Sequence, residues 1–193
     1  VYTDHFADGR RLSGWVSATG SAGTIAAGDF LRGRHPGIRV VATEALQCPT
    51  LFSLGFGEHR IEGIGDKHVP WIHNARNTDA VAAIDDDHCM RLLRLFNDPR
   101  GHEVLAAEGV PQETIDQLKL LGISGLGNLL AAIKTARWFE LTGDDVVLTV
   151  ATDSMEMYGS RLQDLEEEHG GFTDLDAAFS FGRLHTTGID TME

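Results

Sequence analysis

The chain has 193 residues, and its 42% hydrophobic and 23% charged residues with 22 glycines exclude a disordered or fibrous protein and leave room for a real core. With 16 Lys and Arg against 29 Asp and Glu the net charge is −13, which argues against nucleic acid or an anionic membrane as the main partner but not against a small anion held by a local nest of N–H groups. Cys48 and Cys89 are isolated, no apolar run is long enough to span a bilayer, and Val1 to His5 is neither basic nor apolar enough for a signal peptide, so the reading is a soluble cytoplasmic protein with no membrane association.

In chain order, residues 12–16 read as a strand that runs into Ser17-Ala18-Thr19-Gly20-Ser21-Ala22-Gly23-Thr24-Ile25, a turn of small residues opening a helix. Gly20 and Gly23 free the backbone to approach an anion, and Ser21 and Thr24 add hydroxyls at the positive helix end. A Gly/Ser/Ala turn is equally a tight connection, and neither a Walker loop nor Gly-x-Gly-x-x-Gly is present. Ile25, Gly28, Phe30 and Leu31 follow near helical spacing, Arg34-His35-Pro36-Gly37 stops the helix, and residues 38–43 read as a buried strand. Strand, helix, strand implies a parallel pair with its ligand rim at the carboxyl ends.

Residues 44–77 form a long glycine-rich loop, read as a lid with Gly63 and Gly65 as hinges. Residues 78–84 make another short strand, Asp85 caps a helix carrying Met90, Leu92, Leu93 and Phe96, and Asp98-Pro99 opens the next, ended near Gly109. Pro111 precedes Ile115, Leu118 and Leu121 on one face. A second small-residue helix entrance, Gly122-Ile123-Ser124-Gly125, leads into an Ala/Leu-rich helix, and residues 146–151 read as the clearest buried strand of the chain. Residues 1–165 are read as one α/β domain and 166–193, beginning with Glu166-Glu167-Glu168, as an acidic tail extension. His59, His68 and His73 share one loop with Glu58, Glu62 and Asp66, but their spacing matches no ligand pattern, so no metal site is expected.

The two helix entrances joined by parallel strands resemble the later part of the cysteine synthase and tryptophan synthase β group, the fold-type II pyridoxal phosphate enzymes. The group's phosphate loop Gly-Thr-Gly-Gly-Thr is similar to Gly20-Ser21-Ala22-Gly23-Thr24, a segment like Ile-Gln-Gly-Ile-Gly to residues 61–65, and Gly-Ile-Ser-Ser-Gly to residues 122–126. The resemblance covers residues 12–161 and implies a three-layer αβα fold with a mostly parallel sheet, present in part. It further implies pyridoxal 5'-phosphate as cofactor, with Gly20, Ser21, Ala22, Gly23 and Thr24 on its phosphate and Ser124 at its pyridine nitrogen. On local grounds Ser124 also reads as a plain helix N-cap.

Ala22 replaces a family glycine, which demands a negative φ there, and Glu62 replaces the usual Gln. The group's Schiff-base lysine precedes the phosphate loop, whereas this chain has only Lys67, in a loop without the family's context, and Lys119 and Lys134, read as surface charges on helices. The implied protein is a lyase or β-replacement enzyme of cysteine synthase type, acting on a small amino-acid substrate and forming a homodimer at full length. This chain, which begins without Met, is read as its C-terminal portion, inactive alone. A serine or threonine dehydratase and a non-catalytic phosphate- or cofactor-binding module are the alternatives.

Overall fold

The computed structural model describes residues 9–193; the N-terminal pentapeptide, read above as no leader, lies outside them. Four strands, β1 (Arg11–Ala18), β2 (Arg39–Ala45), β3 (Ala80–Ile84) and β4 (Asp145–Leu148), form one sheet in the order β3-β2-β1-β4, and every pair is parallel. Their carboxyl ends therefore share one rim. Helices cover both faces, as the sequence led one to expect for an αβα arrangement.

The layers follow from the alternation of side chains along each strand. Val40 and Ala42 of β2 face Ala22 and Ile25 with Trp15 and Val81, and above them lies α1 (Ala27–Arg34). Val41, between them, faces the opposite way with Val16, Ala82 and Ile84. That face meets Leu92, Leu93 and Phe96 of α2 (Asp86–Asn97), Leu105 of α3 (Pro99–Ala107), Ile115 of α4 (Gln112–Gln117), and Leu126 and Leu130 of α5 (Ile123–Trp138). Gly28 is what lets α1 lie so low: a Cβ there would stand 2.7 Å from Val40 and 3.0 Å from Trp15. Phe30 is not part of this packing, being 62% exposed beneath the Arg34 guanidinium.

The capping signals act as anticipated. Asp85 accepts from the Asp87 N–H to start α2, and Asp98 accepts from the Arg100 N–H to start α3. Gly109 ends that helical stretch with φ +88°.

Two expectations fail. Residues 146–151 do not form a fully buried strand: β4 is a half-buried edge strand of only four residues. Its Val-Val-Leu run resembles a central strand, but among the described residues it pairs on one side only, with a register shift between Leu12 and Gly14 of β1, and a Cβ at Gly14 would stand 3.2 Å from Val147. Lys134 is not a surface charge either, being only 6% exposed. Residues 166–193 are packed: α6 (Gly159–His169) runs across position 165, and α7 (Asp174–His185) begins with a Thr173–Asp176 capping box. Phe172, Ala177 and Met192 belong to the same core as Val16 and Leu93. The C-terminal residues cover the open edge of β3 through an antiparallel bridge, Ala82 to Met192.

Gly101 is buried where α2 passes into α3, and a Cβ there would fall 1.9 Å from the Leu95 carbonyl oxygen. Gly101→Ala is expected to lower unfolding free energy by about 3 kcal/mol or more in urea titrations, while Gly33→Ala, with nothing within 4 Å, raises it by about 0.5–1 kcal/mol.

Candidate functional site

The end of β1 is held at one residue. Thr19 donates its N–H (2.8 Å) and its hydroxyl (3.2 Å) to the Thr43 carbonyl, while its own carbonyl accepts the Gly65 N–H at 2.6 Å. From there the chain turns through Gly20 to Ala26 into α1. Among the described residues no acceptor takes the backbone N–H of any residue from 20 to 25. Residues 20–24 of this turn line a cavity of about 270 Å³ at the strand rim.

All six residues singled out from the sequence, Gly20, Ser21, Ala22, Gly23, Thr24 and Ser124, line this one cavity. Three corrections accompany that result. Ala22 sits at φ +66°, not at the negative φ the substitution was taken to require. For a residue with a Cβ the left-handed conformation costs about 1–2 kcal/mol, and here the methyl is buried against Ile25, Val40 and Ala42. Ser124 is not an N-cap: Gly122 holds that position, and the Ser124 hydroxyl lies 3.0 Å from the Thr152 hydroxyl. Thr24 turns its hydroxyl to the Ala18 carbonyl at 3.2 Å, so it braces the turn.

Gly20 and Gly23 have no reason within the fold to be glycine. Neither has a positive φ, and an added Cβ would meet only Gly65 O at 3.9 Å and Ser21 Oγ at 4.0 Å, respectively. The space they leave is open to a ligand that approaches the backbone closely.

Asn128 and Thr152 share the same lining without having been singled out from the sequence, which read Thr19 only as part of the turn and Gly63 only as a loop hinge. Asn128 lies one helical turn beyond Ser124, a spacing that could have found it. Its Nδ2 donates to the Val150 carbonyl at 2.9 Å, yet its Oδ1 is buried with no partner. An orphan acceptor in a residue only 3% exposed points to an absent donor. Every lining residue is uncharged. The site thus offers oriented N–H groups, hydroxyls and one amide, a donor set suited to a phosphate ester and a polar ring.

The loop beside the cavity is fixed in its middle. Ile61 and Ile64 are buried, Arg60 makes a two-pronged pair with Glu168 (2.7 and 2.9 Å), and Arg161 binds Glu62 (Nε to Oε1 3.0 Å). Gly63 and Gly65 adopt φ +81° and +86°. His59, His68 and His73 do not converge: His73 pairs with Thr78 at 3.0 Å, and His68 is exposed. Among the described residues no three His, Cys, Asp or Glu side chains cluster as a metal site.

Behind Ser124, the Tyr158 hydroxyl donates to Asp153, whose backbone carbonyl accepts the Gly122 N–H at 3.0 Å. A Cβ at Gly122 would strike the Asp153 carboxylate, so the pair sets the entrance of α5. Burial, then the Asp153 carboxylate, pushes the Tyr158 pKa up to about 12. A phenol whose folded pKa lies above the unfolded value near 10 adds stability that is complete below 10 and lost as pH rises toward 12. Alkaline titration is expected to show this loss across that window, and Tyr158→Phe to abolish that component while lowering stability at pH 7 by about 1–3 kcal/mol.

No family model matches the chain. Over 152 residues it is 27% identical to a cysteine synthase of Staphylococcus aureus, an alignment covering 78% of this chain and 43% of the relative. Among solved structures, O-acetylserine sulfhydrylase isoform 3 from Entamoeba histolytica superposes with a TM-score of 0.64 at 26% identity, covering 88% of this chain and 45% of that one. An O-acetylserine-dependent cystathionine β-synthase from Helicobacter pylori gives 0.59 at 28% identity over 78% of this chain and 43% of that one. The chain spans less than half the length of these relatives. In sequence and in fold the chain is thus similar to part of the cysteine synthase-like, fold-type II group of proteins.

Proposed function

We propose that this chain is the cofactor-phosphate-binding part of a cysteine synthase-like β-replacement enzyme acting on a small activated amino acid. The observation that carries this reading is the turn at residues 20–25, whose backbone N–H groups have no acceptor among the described residues, and of which residues 20–24 line one uncharged cavity. Pyridoxal phosphate, when bound, supplies the electron sink that lets an amino acid lose a group from its β-carbon. The backbone donors of 20–25 would bind its phosphate, with the α1 dipole behind them. Ser124, shared with Thr152 at 3.0 Å, would hold the pyridine nitrogen with a neutral hydroxyl. A neutral partner leaves that nitrogen unprotonated, which suits elimination and replacement at the β-carbon.

Asn128 Oδ1 stands ready as an acceptor for a polar group of the ligand. Arg161 neutralises Glu62 beside the entrance, so the carboxylate that replaces the family Gln adds no free negative charge against an amino-acid carboxylate. None of Lys67, Lys119 and Lys134 lines the cavity. The amine that holds the cofactor aldehyde would therefore come from a segment outside this chain. The proposal includes a homodimer at full length in the cytoplasm, where the free buried thiols of Cys48 and Cys89 stay reduced.

Inorganic phosphate and pyridoxal phosphate are expected to shift and protect the backbone amides of 20–25. Gly23→Val is expected to remove that effect with an unchanged urea midpoint, because its Cβ meets only Ser21 Oγ at 4.0 Å. The 193-residue chain alone should not consume O-acetylserine and sulfide. Protection elsewhere, or turnover with a borohydride-fixed adduct at Lys67, Lys119 or Lys134, overturns the reading. Binding without turnover in a longer, lysine-bearing protein identifies a non-catalytic module instead.

A further inference from the structure

A second cavity of about 600 Å³ lies between α5, the start of α2 and the C-terminal residues 186–191, away from the phosphate turn. Two polar groups in its wall are incompletely used. Lys134 on α5 has a side chain only 7% exposed, and its ammonium donates to the Gly188 carbonyl at 2.7 Å. Its other partner is Asp190, 3.5 Å away on a side chain 83% exposed. An ammonium carries three donors, and a buried cation is normally held by close partners. His88, at the start of α2, is 8% exposed, and its Nε2 is buried without any partner.

Arg183 is not a free cation: it binds Asp85 (3.1 Å), which shares the wall, and Asp87 (2.9 Å), which lies outside it, so its guanidinium is more than neutralised. That leaves Lys134 as the cation with spare donors. His88 is held neutral, its pKa pushed down to about 4 by burial and then by Arg183 and Lys134. A neutral imidazole with a bare Nε2 supplies a second, uncharged donor in the appropriate tautomer. Leu46, Ile84 and Ile189 make the apolar part of the wall.

We propose that this cavity binds a small carboxylic acid with a short aliphatic body, its carboxylate bridging the Lys134 ammonium and His88 Nε2 and its alkyl group against Leu46, Ile84 and Ile189. The exposed Asp190 is then a loosely held stand-in that the ligand displaces. An inorganic anion would leave the apolar wall unfilled, and a neutral amide of the same shape would leave the ammonium unpaired. The site is independent of the phosphate turn, so its fate does not depend on the cofactor reading.

The test is titration of the 193-residue chain with isobutyrate, followed by the His88 ring signals in NMR and by calorimetry. Saturable binding is expected, with the His88 pKa rising toward its ordinary value as the anion arrives. Isobutyramide should not bind. Lys134→Met, which keeps the stem and removes the charge, should weaken isobutyrate by about tenfold or more. Asp190→Asn changes an exposed side chain, leaves the fold intact, and should tighten binding. Unsaturable shifts, equal binding of the amide, or an Asp190→Asn protein that binds isobutyrate no better each overturn the proposal.

Discussion

Thr19 is the joint on which the rest of the candidate site hangs. Its N–H and hydroxyl reach Thr43 at the end of β2, and its carbonyl takes the Gly65 N–H. Three chain segments that are distant in sequence are thereby held around one residue that is only 7% exposed. The residues that follow, 20–24, line the cavity, and their backbone N–H groups have no acceptor among the described residues. Ile61 and Ile64, buried on either side of the Glu62-Gly63 step, keep the crossing segment in place. The phosphate site proposed at this turn would need no lysine or arginine in its lining, which is uncharged in a chain of net charge −13.

The glycines divide by cause. Gly28 and Gly101 are demanded by packing, since a Cβ at either would press into Val40 or the Leu95 carbonyl. Gly63 and Gly65 are demanded by their positive φ. Gly20 and Gly23 are demanded by neither, and their space faces the cavity. Ala22 inverts the family pattern: the left-handed position carries a methyl, and burial of that methyl offsets part of the conformational cost. The turn is therefore slightly strained where glycine would be relaxed, and open where the fold itself does not require glycine.

Helix α5 connects the two polar regions of the molecule. Ser124 and Asn128 at its start line the phosphate-turn cavity, and Lys134, three helical turns on from Ile123, lines the other. Both faces of its first turns are buried, with Gly125 and Gly127 close to Leu121 and Ile61. Ion pairs meanwhile tie separate elements together, Arg60 with Glu168, Arg161 with Glu62, and Arg183 with Asp85 and Asp87. The last of these ties α7 to the start of α2, which is how the C-terminal segment becomes part of the core.

The sequence by itself determined what depends on neighbours along the chain. The order of β1, α1, β2 and β3, the caps at Asp85 and Asp98, the stop at Gly109 and the small-residue turn at 20–24 were all legible, because a cap or a turn is decided within a few residues. Tertiary structure decided the rest. Val146 to Leu148 has the composition of a central strand, yet only the sheet order shows that it lies at an edge. Lys134 is charged and helical, yet it is buried, because the C-terminal residues fold back over it and Gly188 supplies its acceptor. Asn128 and Thr152 entered the site unannounced, since their contacts to Val150 and Ser124 cross between elements. The φ of Ala22 was likewise out of reach of local rules, since its methyl is buried against Val40 and Ala42 of a neighbouring strand, a contact that only the tertiary structure shows.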